Sequence, residues 1–145
     1  KRQVQDCVCE LFFGKDHPVD SNETAFKTAA SMCFRDVFQQ AQPVLLEPIS
    51  KVEIDVPAEY TNKVHGLISG RRGQILGFSP KGDWKGWDTV EAHMPSSDIL
   101  DLIIELRSLS QGVGTYRSNF DHLQELTGRL ADQVIEARKE AQEAD

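Results

Sequence analysis

The sequence has little of what an exported, membrane-spanning or metal-dependent protein needs. Its three cysteines, Cys7, Cys9 and Cys33, are odd in number and include no Cys-x-x-Cys pair. We therefore expect buried, reduced thiols without a disulfide or a metal, and reduced thiols indicate a cytoplasmic protein. No signal peptide is recognisable, and no apolar run approaches the roughly 20 residues of a membrane-spanning helix.

Motifs for nucleotide binding and catalysis are also missing. The phosphate-binding pattern G-x-x-x-x-G-K-[ST] has no match. GKDH at Gly14, GVGTYR at Gly112 and NKVH at Asn62 each lack a residue that the motif they resemble requires. The four histidines stand singly, and no Gly-x-Ser-x-Gly sequence occurs. We therefore expect no catalytic residue, no metal site and no cofactor in this chain.

Other candidate side chains have ordinary structural explanations. We expect His65 and His93 to be solvated or half-buried surface histidines. Trp84 and Trp87 fall in a predicted hairpin, where packing between tryptophans is favoured over stacking on a base or partner. Three acids have the spacing of residues on the solvent-exposed side of an amphipathic helix. They are Asp98, Asp101 and Glu105.

Composition and charge fit an ordinary globular protein. Hydrophobic residues make up 39% and charged residues 27% of 145 residues, which suits one domain, or one small domain with part of another. Because the chain starts at Lys1 without methionine, we expect an excised fragment or a processed chain. The net charge of −7 argues against a free-standing nucleic-acid binder. However, residues 61–86 carry five bases against one acid, so a local basic surface remains.

The first third of the chain predicts a strand followed by a helix. Residues 3–13 are rich in Val, Cys and Phe, which favours a strand that needs partner strands upstream of Lys1. Residues 20–41 predict a helix with Asp20 or Ser21 as its N-terminal cap. An apolar stripe on one side of this helix is expected to be buried, and it consists of Phe26, Ala30, Cys33, Val37 and Ala41.

The remainder predicts an α+β fold. From Lys51 to about Asp121 the expected order is β-α-β-β-α-β, the ferredoxin-like pattern, in which two helices cover one face of a sheet. Gly70 is expected to end the first of these helices in a left-handed conformation. Thr127 is expected to cap a last helix. An RNA-recognition motif shares this order, but its stacking aromatics are missing from the predicted third strand.

Arg71 and Arg72 leave two interpretations open. Cations at a helix C-terminus are favoured by the helix dipole, and guanidinium groups also suit phosphate oxygens. From the residues alone the domain could be an RNA-contacting module, a regulatory module with a small ligand at its open sheet face or at a dimer edge, or a protein-interaction domain without RNA contact.

Several separate stretches resemble the elongation factor G family, the ribosomal translocases. The segment GKDHPVDSNETAFKTA is similar to part of the family's fourth domain, and four further stretches match its end and the fifth domain: Pro43–Ile54, Arg71–Gly77, Leu106–Gly112 and Phe120–His122. The resemblance covers about residues 10–122. It implies that residues 1–45 end domain IV, residues 46–125 are a ferredoxin-like domain V, and residues 126–145 form a C-terminal helix. The segment from Val113 is more similar to bacterial elongation factor G-like paralogues than to the housekeeping translocase.

The resemblance also implies a function and its residues. The parent would be a translational GTPase with GTP and Mg²⁺ in an N-terminal domain, acting in the cytoplasm without a membrane. Its partners would be ribosomal RNA, ribosomal proteins and the tRNA–mRNA pair during translocation. The implied decoding-region loop is Gly14, Lys15, Asp16 and His17, with His17 near the tRNA–mRNA pairing. The candidate ribosomal RNA contacts are Lys63, Arg71, Arg72, Lys81 and Lys85.

Overall fold

The computed structural model describes residues 3–143, which belong to two compact units divided between Pro43 and Val44. The first unit carries helix α1, Glu23–Gln40. The second unit carries seven helices and strands, in the order β1 Leu45–Pro57, α2 Thr61–Gly70, β2 Gln74–Pro80, β3 Trp87–Pro95, α3 Leu102–Leu109, β4 Thr115–Leu126 and α4 Arg129–Glu143. Short 3₁₀ turns, Ala58–Tyr60 and Ser96–Ile99, precede α2 and α3.

The strand predicted over residues 3–13 is not formed among the described residues. No described strand pairs with this stretch, and Cys7, Cys9 and Cys33 are exposed rather than buried. The expectation of buried thiols is therefore wrong. A strand is stable only when a neighbour satisfies its backbone N–H and C=O groups, so residue propensity alone does not produce one here.

The predicted helix of the first unit is confirmed, but its cap and its burial are not. Asn22 is the cap, since its side-chain oxygen accepts a hydrogen bond of 2.8 Å from the backbone N–H of Ala25. Ser21 is engaged elsewhere, because its hydroxyl accepts a 2.6 Å hydrogen bond from the backbone N–H of His17. The apolar stripe is solvent-exposed, with Phe26 50% and Val37 58% accessible.

The second unit confirms the predicted ferredoxin-like α+β architecture. Its sheet has the strand order β2-β3-β1-β4, and every neighbouring pair is antiparallel. Since β1 is a central strand, alternation along it decides which side chains are buried. Val52, Ile54 and Val56 are fully buried against the helices, while Lys51 and Glu53, which alternate with them, point to the open face.

One apolar core lies between the sheet and the helices α2 and α3. Strand β3 contributes Val90, Ala92 and Met94 in register with β1. The helices contribute a further group at helical spacing, which is Val64, Ile68, Leu102 and Leu106. These side chains are all fully buried, so the two helices cover the same face of the sheet.

The end of α2 differs from the prediction in a way that positions two arginines. Arg72, not Gly70, adopts the left-handed conformation, with φ of 56°. The backbone N–H of Gly73 donates a 2.9 Å hydrogen bond to the carbonyl of Ile68, which is the six-to-one bond of a Schellman turn. Residue 73 is glycine because a Cβ at this position would overlap Cγ2 of Ile68. The turn therefore requires glycine at position 73 for steric reasons, whereas the left-handed position is occupied by Arg72.

The last helix, α4, is confirmed, with a different start. Gly128, at φ of 69°, accepts the first helical hydrogen bond from the N–H of Asp132, so it takes the place predicted for Thr127. Leu130 is 42% exposed, and Val134 is half-buried. Among the described residues, no helix is both long enough and apolar enough to cross a membrane.

The Schellman turn makes a testable prediction about two glycines of the same segment. Gly73→Ala should destabilise the second unit by about 1–3 kcal/mol, because the added methyl group overlaps Ile68. Gly66→Ala is the control: it lies within α2 with open space around it, and should stabilise by about 0.5–1 kcal/mol. Urea unfolding followed by tryptophan fluorescence measures both, because both tryptophans lie in the second unit. Equal effects of the two substitutions would contradict this account of the turn.

Candidate nucleic-acid interface

The loop Gly14–His17 is exposed in the first unit and leads into α1. His17 is held by a local turn, in which its backbone carbonyl accepts a 3.1 Å bond from Ser21 N–H. The N–H of Val19 donates to Nδ1 of the His17 ring at 3.3 Å. A neutral ring in this arrangement carries its proton on Nε2, which leaves an exposed donor. The side chain is 64% accessible, so it is available to a partner.

Arg71 is mostly enclosed within the second unit. Its Nη1 donates a 2.7 Å hydrogen bond to the carbonyl of Asp98, and its Nη2 lies 2.6 Å from Oε1 of Glu105. The side chain is only 16% accessible, and its Nε is buried without a hydrogen-bond partner among the described residues. The guanidinium group of Arg71 therefore joins α2 to the 3₁₀ turn and to α3.

Arg72 occupies the left-handed position next to it and also forms internal ion pairs. Its Nη1 and Nη2 donate to the two carboxylate oxygens of Glu47 at 3.1 and 3.2 Å, a bidentate pair. Its Nε donates to Asp98 at 3.0 Å. The hydrogen bonds to Glu47 and the charge of Asp98 together outweigh partial desolvation and raise the pKa of Arg72. Arg72 thus clamps the end of α2 onto the start of β1.

These contacts define an arginine corner, which consists of Arg71, Arg72, Glu47, Asp98 and Glu105. Two of the acids, Asp98 and Glu105, were predicted to lie on the solvent side of a helix, and the structure shows that they neutralise the arginines. The corner links four elements of the second unit. It follows that both arginines have a structural role, and that less of their charge is free for a phosphate.

Lys81 is likewise paired, at the hairpin between β2 and β3. Its ammonium lies 2.6 Å from Oδ2 of Asp55 and 3.8 Å from the ring centroid of Trp84. Burial raises the pKa of Asp55, but the hydrogen bonds from Lys81 and Thr89 outweigh it, so that the pKa lies below the ordinary value. Trp84 and Trp87 pack edge to face at 5.0 Å, as the packing interpretation predicts.

Lys63 and Lys85 are the two candidate cations that remain exposed and without an ion pair in the described part of the chain. Lys63 lies on α2, where its ammonium is 5.5 Å from the ring centroid of Tyr60. Lys85 lies in the hairpin. Two hydrogen bonds join α2 and the 3₁₀ turn before it to this hairpin, from Thr61 Oγ1 to Asp88 at 2.8 Å and from Ala58 N–H to the Gly86 carbonyl at 2.9 Å. We call the surface that carries Lys63 and Lys85 the lysine edge.

The open face of the sheet is polar and largely self-paired. Lys51 lies 3.3 Å from Glu91, and Arg117 lies 3.0 Å from Glu53. A groove of about 330 Å³ beside Arg72 and His93 is lined mainly by polar side chains. This face therefore offers no flat aromatic platform for stacked bases among the described residues.

Taken together, fold and site define an α+β protein whose second unit is a ferredoxin-like domain with an exposed lysine edge and a braced arginine corner. Comparison with known proteins identifies the family. The sequence profile described as Elongation factor G C-terminus matches residues 44–134, and the profile Elongation factor G, domain IV matches residues 1–42. The chain therefore belongs to the elongation factor G family.

Two relatives illustrate the similarity. An elongation factor G-like protein from Synechocystis sp. is 48% identical over 128 residues, which make up 88% of this chain and 19% of that protein. A crystal structure of a protein from Thermus thermophilus is 35% identical and has a TM-score of 0.75, over 86% of this chain and 18% of that one. The chain thus spans less than a fifth of the length of each of them.

The arginine corner predicts that Arg71 matters for stability in the isolated chain. Arg71→Ala should lower the free energy of unfolding by about 1–3 kcal/mol, because Glu105 and the Asp98 carbonyl lose their donor. Arg107→Ala is the matched control on the exposed side of α3, where the helix dipole favours the cation and no ion pair forms within residues 3–143, and it should cost less than about 1 kcal/mol. Urea unfolding of both variants provides the comparison. A wild-type stability for Arg71→Ala would show that the side chain does not brace the corner.

Proposed function

We propose that this chain acts as the ribosome-binding C-terminal region of an elongation factor G-like translational GTPase in the cytoplasm. The nucleotide and its Mg²⁺ would be bound by a separate N-terminal domain of the longer protein. This chain would contribute contacts with ribosomal RNA and with the tRNA–mRNA pair during GTP-dependent translocation. The observation that carries the proposal is the match of both family profiles in sequence order, over residues 1–42 and 44–134.

The candidate cations differ in whether they pair with acids, and this difference refines the proposal. Arg71, Arg72 and Lys81 form internal pairs with acids, and their main effect is to fix the shape of the domain. Lys63 and Lys85 are exposed on neighbouring segments and free of acid partners in the described residues. Phosphate oxygens attract such lysines with little desolvation cost, so the lysine edge is the phosphate-contacting surface of the second unit.

The lysine edge is tested by binding of the longer protein to ribosomes. Lys63→Ala combined with Lys85→Ala should weaken co-sedimentation in the presence of a non-hydrolysable GTP analogue. The slope of log affinity against log salt should fall by about one for each phosphate contact that is lost. Arg138→Ala combined with Lys139→Ala removes the same charge from exposed positions of α4 and should leave the slope unchanged. Equal slopes for the two double variants would refute the lysine edge.

The loop Gly14–His17 is tested separately. His17→Ala should slow tRNA movement by up to about tenfold, the equivalent of one hydrogen bond, while GTP hydrolysis continues at its normal rate. Gln39→Ala, on an exposed part of α1, is the control. Rapid-mixing measurements of tRNA movement and of phosphate release distinguish the two steps. A parallel loss of both rates would argue against a role of His17 at the tRNA–mRNA pair.

A further inference from the structure

Three side chains that the proposed function does not use meet on the open face of the sheet. They are His93 from β3 and Asp121 and His122 from β4. Nε2 of His93 lies 3.6 Å from Oδ2 of Asp121, and Nδ1 of His122 lies 2.6 Å from the same oxygen. One ligand atom from each residue lies within 4.8 Å of the other two. The histidine rings are 5.4 Å apart.

A β-bulge brings these groups together. The pairing of β1 with β4 shifts between Ile49 and Ser50, because Ile49 faces His122 whereas Ser50 faces Phe120. Asp121 is therefore the extra residue of β4. In a regular strand, Asp121 and His122 would point to opposite faces of the sheet, but a bulge can turn both to one face. Their contact with His93 shows that this has happened.

The donor set is of the kind that binds a borderline divalent ion. Two imidazole nitrogens and one carboxylate oxygen suit zinc, nickel or cobalt, whereas magnesium prefers an all-oxygen shell. Ligands about 2.0–2.2 Å from a tetrahedral ion are about 3.4 Å apart. The 3.6 Å separation of His93 and Asp121 already fits this value. The shorter contact of Asp121 with His122 would lengthen by less than about 1 Å when an ion replaces its hydrogen bond.

The local charge supports an ion. Asp121 places a carboxylate oxygen between the two imidazole rings, within 3.6 Å of His93 Nε2 and 2.6 Å of His122 Nδ1. The neighbouring cation, Lys51, lies 3.3 Å from Glu91 and 3.9 Å from Glu53, which offset its charge. His93 and His122 are 26% and 41% accessible in their side chains, so an ion can reach the ligands from solvent and keep water in its remaining positions.

We infer that His93, Asp121 and His122 form a surface binding site for a divalent transition-metal ion such as zinc. Bound there, the ion would connect β3 to the bulge of β4 across the central strand β1, and would therefore stabilise the second unit. This inference is independent of ribosome binding, since it concerns the isolated chain alone.

The site is tested with the untagged 145-residue chain in a Cys7→Ser, Cys9→Ser, Cys33→Ser background. This background is needed because exposed thiols also bind zinc. Calorimetric titration with zinc chloride should show one saturable site per chain, and the thermal midpoint of the tryptophan signal should rise with zinc concentration. Zinc or nickel should shift the ring resonances of His93 and His122 in NMR spectra, and leave those of His65 unchanged. Magnesium chloride should do neither.

Variants then assign the ligands. His93→Gln, His122→Gln and Asp121→Asn should each weaken zinc binding at least about tenfold, and His65→Gln should leave it unchanged. The circular dichroism spectrum of each variant verifies that it is folded, and Asp121→Asn, at an exposed position, keeps the test valid if a histidine variant unfolds. Absence of saturable zinc binding would overturn the inference, and so would binding that all three variants retain. Magnesium binding as tight as that of zinc would also overturn it.

Discussion

One-sided burial of the central strand β1 is the constraint on which the second unit depends. Val52, Ile54 and Val56 are completely buried, and a shift of one residue would place Lys51, Glu53 and Asp55 in the core. The free-energy cost of burying unpaired charges far exceeds the stabilisation that the sheet hydrogen bonds provide. The register of β1 is therefore fixed. Because β3 and β4 both pair with β1, that register also decides which of their residues face the helices and which face solvent.

The same constraint explains how charge is distributed outside the core. Polar residues forced onto the open face lie close together, and they are stable there because acids and bases alternate across strands, as in the pair of Lys51 and Glu91. The arginine corner applies the same rule at the end of α2. A cation that already has two acid partners gains little from a phosphate, since it must give up the first contact to make the second. The RNA contact proposed above therefore depends on which cations lack an acid neighbour, and net charge is a poor guide to it.

Sequence patterns predict features that depend on neighbours in the chain, and they fail where distant residues decide. The order of elements in the second unit, its buried alternating residues and the packing of Trp84 against Trp87 all follow from local spacing. The burial predicted for Cys7 and Cys9 required partner strands that are absent from the described residues. Likewise, nothing in the sequence near Arg72 indicates that Glu47, 25 positions away, lies within hydrogen-bond distance. The cluster of His93, Asp121 and His122 depends on a bulge that no spacing rule reveals.

Irregular backbone is what these two sites have in common. In a regular strand, consecutive side chains point to opposite faces of the sheet. In a regular helix, consecutive side chains point in different directions around the axis. Neither element therefore brings the side chains of adjacent residues together. Arg72 departs from helical geometry through its left-handed conformation, and Asp121 departs from strand geometry as the extra residue of a bulge. In each case the irregular backbone turns two adjacent polar side chains toward the same residue. Arg71 and Arg72 both contact Asp98, and Asp121 and His122 both contact His93. The core tolerates both because they lie beyond the residues that it buries: Arg72 follows Ile68 by one turn, and Asp121 lies on the face opposite the helices.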